Sequence, residues 1–261
     1  MAWELKRISK VKMKDPILIE GLPGMGNVGK IVVDYMIDAL HAEKMYEMYS
    51  YDLPHCVFVN EENVVELPSV SVYYKNLGKR TLLLLAGDIQ PPNENSCYEF
   101  CNTVLDTLEK ANAKEIITLG GIGLASVPKN PRVFCTGNSK KVLMKYKSPL
   151  ISPNVYGVVG PIVGVSGLLP GLAARRNIPA VALLAETFAH PGYLGVSGAK
   201  NVLKILKKEL KLNIEVDALG EEITEGFASE KLKKGRASEV LRKINMGNNA
   251  VLGKGGADYI G

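Results

Sequence analysis

The fold of this chain is constrained most by one stretch near its N-terminus, ILIEGLPGMGNVGK at residues 17–30. A short apolar run breaks into a glycine-rich turn, and apolar residues then recur at helical spacing up to residue 40. This order predicts a buried strand, a turn and an amphipathic helix. Gly24, Gly26 and Gly29 also satisfy G-x-G-x-x-G, the spacing of turns that bring backbone close to a pyrophosphate at a helix N-terminus.

Two interpretations of these glycines are open. A dinucleotide site also requires an acidic residue about 20 positions further on, at the end of the next strand. Glu43 and Glu47 lie in that region, but neither clearly ends a strand. The other interpretation is that the glycines allow positive φ and close packing of strand on helix without a ligand. The sequence favours packing and leaves an anion or nucleotide site as the alternative.

The rest of the chain alternates strand and helix patterns. Strands are predicted at residues 80–86 and 178–185, which are continuously apolar over 82–86 and 178–185, as strands covered on both faces should be. Further strands are predicted at 3–8 (an edge strand), 114–123, 132–136 and 161–165, with an antiparallel pair at 64–68 and 69–74, and helices at 94–112, 168–177 and 197–212. This alternation predicts an α/β fold with a largely parallel or mixed sheet and helices on both faces.

The length of 261 residues fits one large α/β domain with an appendage. We predict a core domain over residues 1–214 and a more charged, helical segment over 215–244. Residues 245–261 are glycine-rich, have no sustained period and are predicted to form a flexible tail.

Composition excludes several classes of function. A net charge of +5, dispersed along the chain, does not indicate nucleic-acid binding. Residues 148–174 lack charge and are long enough to span a bilayer, but their many prolines and glycines favour a buried strand, a turn and the start of a helix. No secretory signal is apparent, and four cysteines in such a chain indicate reduced thiols, so we expect a cytoplasmic protein without a membrane span.

Polar residues follow two of the apolar strands. Asp88 and Gln90 come after residues 80–86, at the carboxyl end where open α/β sheets place ligands and catalytic groups. Glu186 follows the last apolar strand, and with His190 it could form an acid/base pair. The predicted ligand crevice consists of Gly24, Gly26, Asn27, Gly29, Asp88, Gln90, Gly121 and Glu186. The alternative for Asp88 is a side chain that caps backbone amides in a tight turn.

The cysteines do not form a metal motif. Cys97 and Cys101 lie four residues apart on a predicted helix and could share a metal ion, but such a site needs four ligands and no second pair has a suitable spacing. We therefore interpret all four cysteines as small core or surface residues and predict no metal and no cofactor.

Four motifs in order carry a resemblance to a known family. They are GLPGMGNVGK at 21–30, GDIQP at 87–91, IITLGGIG at 116–123 and GPIVGVSGLL at 160–169. Together they resemble the successive signatures of the proteasome assembly chaperone 2 family, in its archaeal branch, over about residues 17–212. The resemblance implies a three-layer α/β/α fold of phosphorylase/hydrolase-like architecture. It also implies a non-enzymatic, homo-oligomeric chaperone or regulator of the proteasome core particle, in which the fingerprint glycines are architectural.

The resemblance also draws attention to the C-terminus. Family members that act on the proteasome have a tail ending in hydrophobic-Tyr-X, whose tyrosine and carboxylate enter pockets between α-subunits. This chain ends in Asp258, Tyr259, Ile260 and Gly261, so its tyrosine is third from the end and follows an acidic residue. The expected partner is the set of proteasome α-subunits or a related assembly protein. The alternatives are a frayed terminus and, for the whole chain, a nucleotide- or small-molecule-binding enzyme that uses the crevice.

Overall fold

The computed structural model describes residues 3–60, 62–153 and 160–219. The strands in these ranges are β1 (Glu4–Arg7), β2 (Ile17–Glu20), β3 (Glu43–Tyr49), β4 (Phe58–Val59), β5 (Val65–Glu66), β6 (Val70–Asn76), β7 (Thr81–Gly87), β8 (Glu115–Leu124), β9 (Val133–Gly137), β10 (Ile151–Ser152) and β11 (Ala180–Phe188). The α-helices are α1 (Val28–Ala39), α2 (Glu94–Lys110), α3 (Lys140–Leu143), α4 (Val165–Ala174) and α5 (Val196–Leu210), and single 3-10 turns cover Met25–Asn27 and Met144–Tyr146.

One mixed sheet organises the fold. Nine strands lie in the order β1, β3, β6, β7, β2, β8, β11, β9, β10. The central strands β7, β2, β8 and β11 are parallel. The flanking pairs β1/β3, β3/β6, β6/β7 and β9/β11 are antiparallel, and β10 runs parallel to β9. The predicted mixed sheet is confirmed, with its parallel part at the centre.

Helices cover both faces of the central strands. Along β7, Leu82 and Leu84 join a core cluster with α1 and α5, whereas Leu83 and Leu85 join a second cluster with α2 and α4. Successive side chains of a strand point to opposite faces, so a strand buried on both sides must be apolar at every position. This confirms the predicted three-layer α/β/α arrangement.

The predicted edge strand is β1, which lies at one end of the sheet order. All four of its residues are exposed, and the residue before it provides the anchor. The Trp3 indole donates to the backbone oxygen of Ser96 at 2.9 Å, and its ring lies edge-on to Phe100 with centroids 4.7 Å apart. The start of the chain is thereby tied to α2.

Two strand predictions are wrong. Residues 64–68 do not pair with 69–74, because β5 pairs with β4 in a separate two-stranded sheet while β6 already has β3 and β7 on its two sides. Residues 161–165 do not form a sheet strand, because α4 begins at Val165. There Gly164 has φ of +87° and the Gln90 side chain accepts a hydrogen bond from the Val165 amide at 3.2 Å.

The last central strand is longer than predicted. The sequence predicts that it ends at residue 185 and that Glu186 begins the outgoing loop, but β11 continues to Phe188. Glu186 therefore lies inside a strand, paired in register with Ile122 of β8.

A side-chain hydrogen bond allows α4 to contain a proline. Pro170 has no amide hydrogen to donate to the Ser166 carbonyl, four residues earlier. The Thr118 hydroxyl of β8 donates to that carbonyl at 2.7 Å instead, and both Thr118 and Ser166 are buried. The sheet thus satisfies a backbone group that the helix leaves unpaired.

We expect Thr118→Val to lower the free energy of unfolding by about 1–3 kcal/mol, because the buried Ser166 carbonyl loses its donor. The measurement is urea denaturation followed by circular dichroism. Thr103→Val in α2 is the matched control. The Thr103 hydroxyl also donates to a helix carbonyl, that of Glu99, but α2 contains no proline, so this carbonyl keeps its backbone hydrogen bond when the hydroxyl is removed. Equal losses in the two variants would contradict this role for Thr118.

The described chain ends against the core. Val216 and Leu219 belong to the core cluster of α1 and α5. The predicted division at residue 214 stays a prediction, and most of the predicted segment 215–244 and all of the tail 245–261 lie outside the described residues. None of the helices in the described ranges has the length and apolarity that crossing a bilayer requires.

Candidate functional site

The glycine-rich turn lies between β2 and α1 and contains two left-handed residues. Gly26 has φ of +61° and Asn27, which precedes the first residue of α1, has φ of +51°. A Cβ atom on Gly26 would lie 2.3 Å from the Thr187 Oγ1 of β11. Position 26 therefore needs glycine for its backbone conformation and for the space that Thr187 occupies.

The other glycines bring backbone against backbone. A Cβ on Gly29 would lie 2.7 Å from the Leu119 carbonyl oxygen, and one on Gly121 would lie 2.1 Å from the Met25 carbonyl oxygen. The turn and the first residues of α1 consequently rest directly on β8. Gly24 lies immediately before the 3-10 turn Met25–Asn27, and its own backbone is extended.

Protein groups also lie over the N-terminal end of α1, where a phosphate would bind in a dinucleotide site. The Gly195 amide donates to the Gly26 carbonyl at 2.8 Å, and Thr187 lies beside the same glycine. The packing interpretation of the G-x-G-x-x-G spacing is supported by these contacts. Thr187 Oγ1 and Asn27 Oδ1 are buried here without a hydrogen-bond partner among the described residues.

We expect Gly121→Ala to prevent stable folding or to lower the melting temperature strongly, because the new methyl group would overlap the Met25 carbonyl. Gly171→Ala is the control, since a Cβ at that helical position meets nothing within 4 Å. Alanine should stabilise α4 there by up to about 1 kcal/mol. Thermal denaturation of both variants checks the expectation, and an unchanged Gly121→Ala protein would contradict the close packing.

Asp88 and Gln90 both make structural hydrogen bonds. Asp88 Oδ2 accepts from the Ser69 amide at 3.2 Å, so it satisfies a backbone amide, but that amide lies 19 residues away and not in the turn that follows β7. Gln90 Nε2 donates to the Pro23 carbonyl at 2.7 Å, while its oxygen accepts from Val165. Gln90 thus links the glycine turn to the beginning of α4.

Glu186 and His190 do not form the predicted acid/base pair. Glu186 Oε2 accepts from the Arg132 amide and its Oε1 accepts from the Arg132 Nε, both at 2.8 Å. Burial would raise the pKa of Glu186, but the hydrogen bonds and charge of Arg132 outweigh burial and lower it. The His190 ring stacks on Phe188 with centroids 5.5 Å apart. The pair fails because Arg132 occupies both carboxylate oxygens.

The sequence-predicted crevice is therefore divided in the structure. Gly26, Gly121 and Gln90 meet around the turn after β2, whereas Glu186 belongs to an ion pair with Arg132. Asp88 lines a separate cavity described below.

Glu20, the last residue of β2, is not among the site residues predicted from the sequence. Its side chain is almost fully buried, Oε1 accepts from the Leu22 amide at 2.9 Å, and Oε2 has no partner among the described residues. Burial of this carboxyl raises its pKa to about 8. A glutamate inside an otherwise apolar run was the available signal, because glutamate is rarely fully buried without a partner.

The thiols of Cys97 and Cys101 are hydrogen-bonded to each other on α2, and both lie in the core. The Cys101 thiol donates to Cys97, and this hydrogen bond together with burial raises the pKa of the Cys101 thiol. Among the described residues, no group of three or more His, Cys, Asp and Glu could hold a metal ion. These two cysteines pack as predicted.

Glu20 makes stability depend on pH in a defined direction. Its pKa is about 8 in the fold against an ordinary value of 4.5 for glutamate, so folding takes up a proton between these pH values. The free energy of unfolding should fall as pH rises through this window. We expect Glu20→Gln to weaken that dependence and to stabilise the protein at pH 8 by on the order of 2 kcal/mol.

Urea titrations at pH 5 and pH 8 measure this effect. The control is Glu4→Gln, which removes a carboxylate from the exposed strand β1. If Glu20→Gln and the unmodified protein lost the same stability between pH 5 and pH 8, the buried carboxyl would not be the source of the dependence.

A second group of polar residues lines a cavity of about 1120 Å³ beside α1. Lys30 is almost fully buried there and donates to the Gly87 carbonyl at 3.1 Å, and it pairs with Asp34 at 3.0 Å. Lys30 was also missed as a cavity residue, since a lysine at the start of an amphipathic helix normally faces solvent.

The geometry defines a three-layer α/β/α protein whose glycine-rich turn packs backbone against backbone after the first central strand. Comparison with known families agrees with this architecture, because the model of the PAC2 family matches residues 18–226. The chain belongs to the PAC2 family.

Two solved structures from Pyrococcus furiosus are similar over most of their length. PbaB, described as an archaeal proteasome activator, is 32% identical with a TM-score of 0.78, over 93% of this chain and 98% of PbaB. PbaA, described as an archaeal homolog of proteasome-assembly chaperone, is 26% identical with a TM-score of 0.72, over 94% of this chain and 96% of PbaA. An uncharacterized protein of Methanocaldococcus jannaschii is 29% identical over 225 residues, which is 85% of this chain and 84% of that protein.

Proposed function

We propose that this protein is a proteasome-assembly-chaperone-like binding protein without enzymatic activity. It acts in the cytoplasm as a homo-oligomer, and its C-terminal tails dock on proteasome α-subunits or on a related assembly protein. The observation that carries the proposal is the 32% identity to the proteasome activator PbaB across 93% of this chain.

The physical basis of tail docking is avidity. The glycine-rich tail predicted from the sequence presents Tyr259 as an aromatic anchor, and such anchors contribute much of the energy of an interface. Several tails on one oligomer raise the effective concentration of each further tail near its pocket. The tail residues Asp258 to Gly261 lie outside the described residues, so their part in the proposal rests on the sequence.

The geometry of the predicted crevice favours a binding protein over the enzyme alternative. Thr187 and the Met25 carbonyl lie where side chains of Gly26 and Gly121 would be. Arg132 holds both oxygens of Glu186, and Ser69 and Val165 engage Asp88 and Gln90. Asp88, Gln90 and Glu186 thus each have a structural partner, whereas Asn27 Oδ1 has none among the described residues.

A capture experiment with purified proteasome α-subunits tests the proposal. The full chain should retain α-subunits, whereas Tyr259→Ala and a chain ending at Ile244 should retain at least about tenfold less, because the anchor or the whole tail is lost. The oligomer mass from light scattering should be a multiple of 28.3 kDa for the full chain.

Tyr98→Ala is the matched control, because Tyr98 is an exposed tyrosine on α2 far along the chain from the tail. It should capture α-subunits as well as the unmodified protein does. Capture that is unchanged by both tail variants would contradict docking through the tail. Capture of a different assembly protein would retain tail docking and change its partner.

A further inference from the structure

The cavity beside α1 lies between the β4/β5 hairpin and the outer strands of the sheet. Its lining includes Lys30, Asp34 and Ile37 from one side of α1, Ser71 and Tyr73 from β6, and residues of the hairpin. The hairpin, rather than a helix, forms the far wall. This region thus contrasts with the central strands, which α1 and α5 cover.

The lining of this cavity is acidic. Its carboxylates belong to Glu4, Asp34, Glu47, Glu62, Glu66 and Asp88, and its ammonium groups belong to Lys6, Lys30 and Lys44. Six negative and three positive charges leave a net charge of −3. Lys30 and Lys44 are already paired with Asp34 and Glu47, so the excess negative charge comes from Glu62 and Glu66 of the hairpin together with Glu4 and Asp88.

The hairpin adds an exposed apolar face. Val59 pairs in register with Val65, and Phe58 pairs with Glu66. Because side chains alternate, Val57, Val59, Val65 and Leu67 share one face. Each is about half exposed or more, with Val65 63% exposed, and Val65 and Leu67 also line the cavity. Contiguous exposed valine and leucine beside a cavity marks an interaction surface.

The sequence beyond the described residues contains a segment that complements this surface. Residues 231–244, KLKKGRASEVLRKI, contain six lysines and arginines and one glutamate, which gives a net charge of +5. Leu232, Val240, Leu241 and Ile244 provide apolar side chains in the same segment. Opposite charge together with matching apolar groups is the arrangement that sets register at protein interfaces.

The chain leaves the core close enough for this segment to reach the cavity. The Tyr35 hydroxyl of α1 donates to the Glu215 carbonyl, while Lys30 and Asp34 of the same helix line the cavity. A helix with its side chains is about 10–12 Å across. The 11 residues between Leu219 and Lys231 span up to about 36 Å when extended, so they can cross α1.

We propose that residues 231–244 dock on the cavity and hairpin face of their own chain. The lysines and arginines lie against the hairpin carboxylates, and the apolar side chains cover Val57, Val59, Val65 and Leu67. The docked segment fixes the point from which residues 245–261 leave the protein. This inference goes beyond the proposed function, because it requires no proteasome and no particular partner of the tail.

Zero-length crosslinking tests whether residues 231–244 contact the hairpin, and whether that contact lies within one chain or between two chains. Full-length chains, one half unlabelled and one half ¹⁵N-labelled, are refolded together and treated with a carbodiimide, which joins lysine amines to carboxylates in direct contact. We expect crosslinks from Lys231, Lys233 or Lys234 to Glu62 or Glu66 in which both peptides carry the same isotope. Mixed-isotope crosslinks at the level of random pairing would overturn docking within one chain in favour of docking on a second copy.

Hydrogen exchange on the full chain provides the second measurement. In K231E/K233E/K234E, the hairpin amides of residues 57–67 should exchange about fivefold faster, because the segment is repelled and local opening becomes easier. Adding E4K/E62K to this variant should restore the protection of the hairpin amides, because the charges of the segment and of the cavity lining are then both reversed. The matched control is K204E/K208E/K211E, which reverses three exposed lysines on α5 and just after it. Equal hairpin exchange in the unmodified and segment-reversed chains, with β2 amides still protected in both, would overturn the proposal.

Discussion

The rest of the structure depends on the direct contact between the glycine turn and β8. Gly121 passes so close to the Met25 carbonyl, and Gly29 so close to the Leu119 carbonyl, that a single methyl group would separate them. This contact sets the distance of α1 from the sheet, and α5 and residues 212–219 then pack on α1. Close approach of backbone is one of the few requirements that only glycine meets. The G-x-G-x-x-G spacing, which dinucleotide sites also have, here allows the helix layer to pack closely on the sheet.

Polar side chains within and just after the central strands mainly satisfy backbone groups that the fold leaves open. Thr118 supplies the donor that Pro170 lacks, Gln90 accepts from the first amide of α4, and Asp88 accepts from Ser69. In a buried layer each such group would otherwise carry a desolvation penalty of about 1–3 kcal/mol. The chain thus uses at its strand ends the residue types that an enzyme would use for catalysis. The binding surfaces of the proposals lie elsewhere, at the tail and at the hairpin.

Local patterns predicted those parts of the fold that local physics decides. The apolar run of β7 and the helical period of α2 were recognised from burial on two faces and on one face. The pairing partners of strands were harder to predict than the strands themselves. The sequences of β5 and β6 both favour strands, but which strands they pair with depends on which strand edges the rest of the sheet leaves free. The end of β11 was placed too early because Glu186 is charged, and its partner Arg132 is 54 residues away along the chain.

The sequence by itself determined the family, the layered α/β class and the polar and apolar residues from which the surfaces are built. Tertiary structure alone decided which polar groups are paired, because a contact between distant residues is set by the packing of whole layers. Glu20 became a buried carboxyl with a raised pKa, and Lys30 became a buried donor to the Gly87 carbonyl, through the placement of α1 and α2 over the sheet. The acidic cavity exists for the same reason: the β4/β5 hairpin folds beside strands that α1 does not cover.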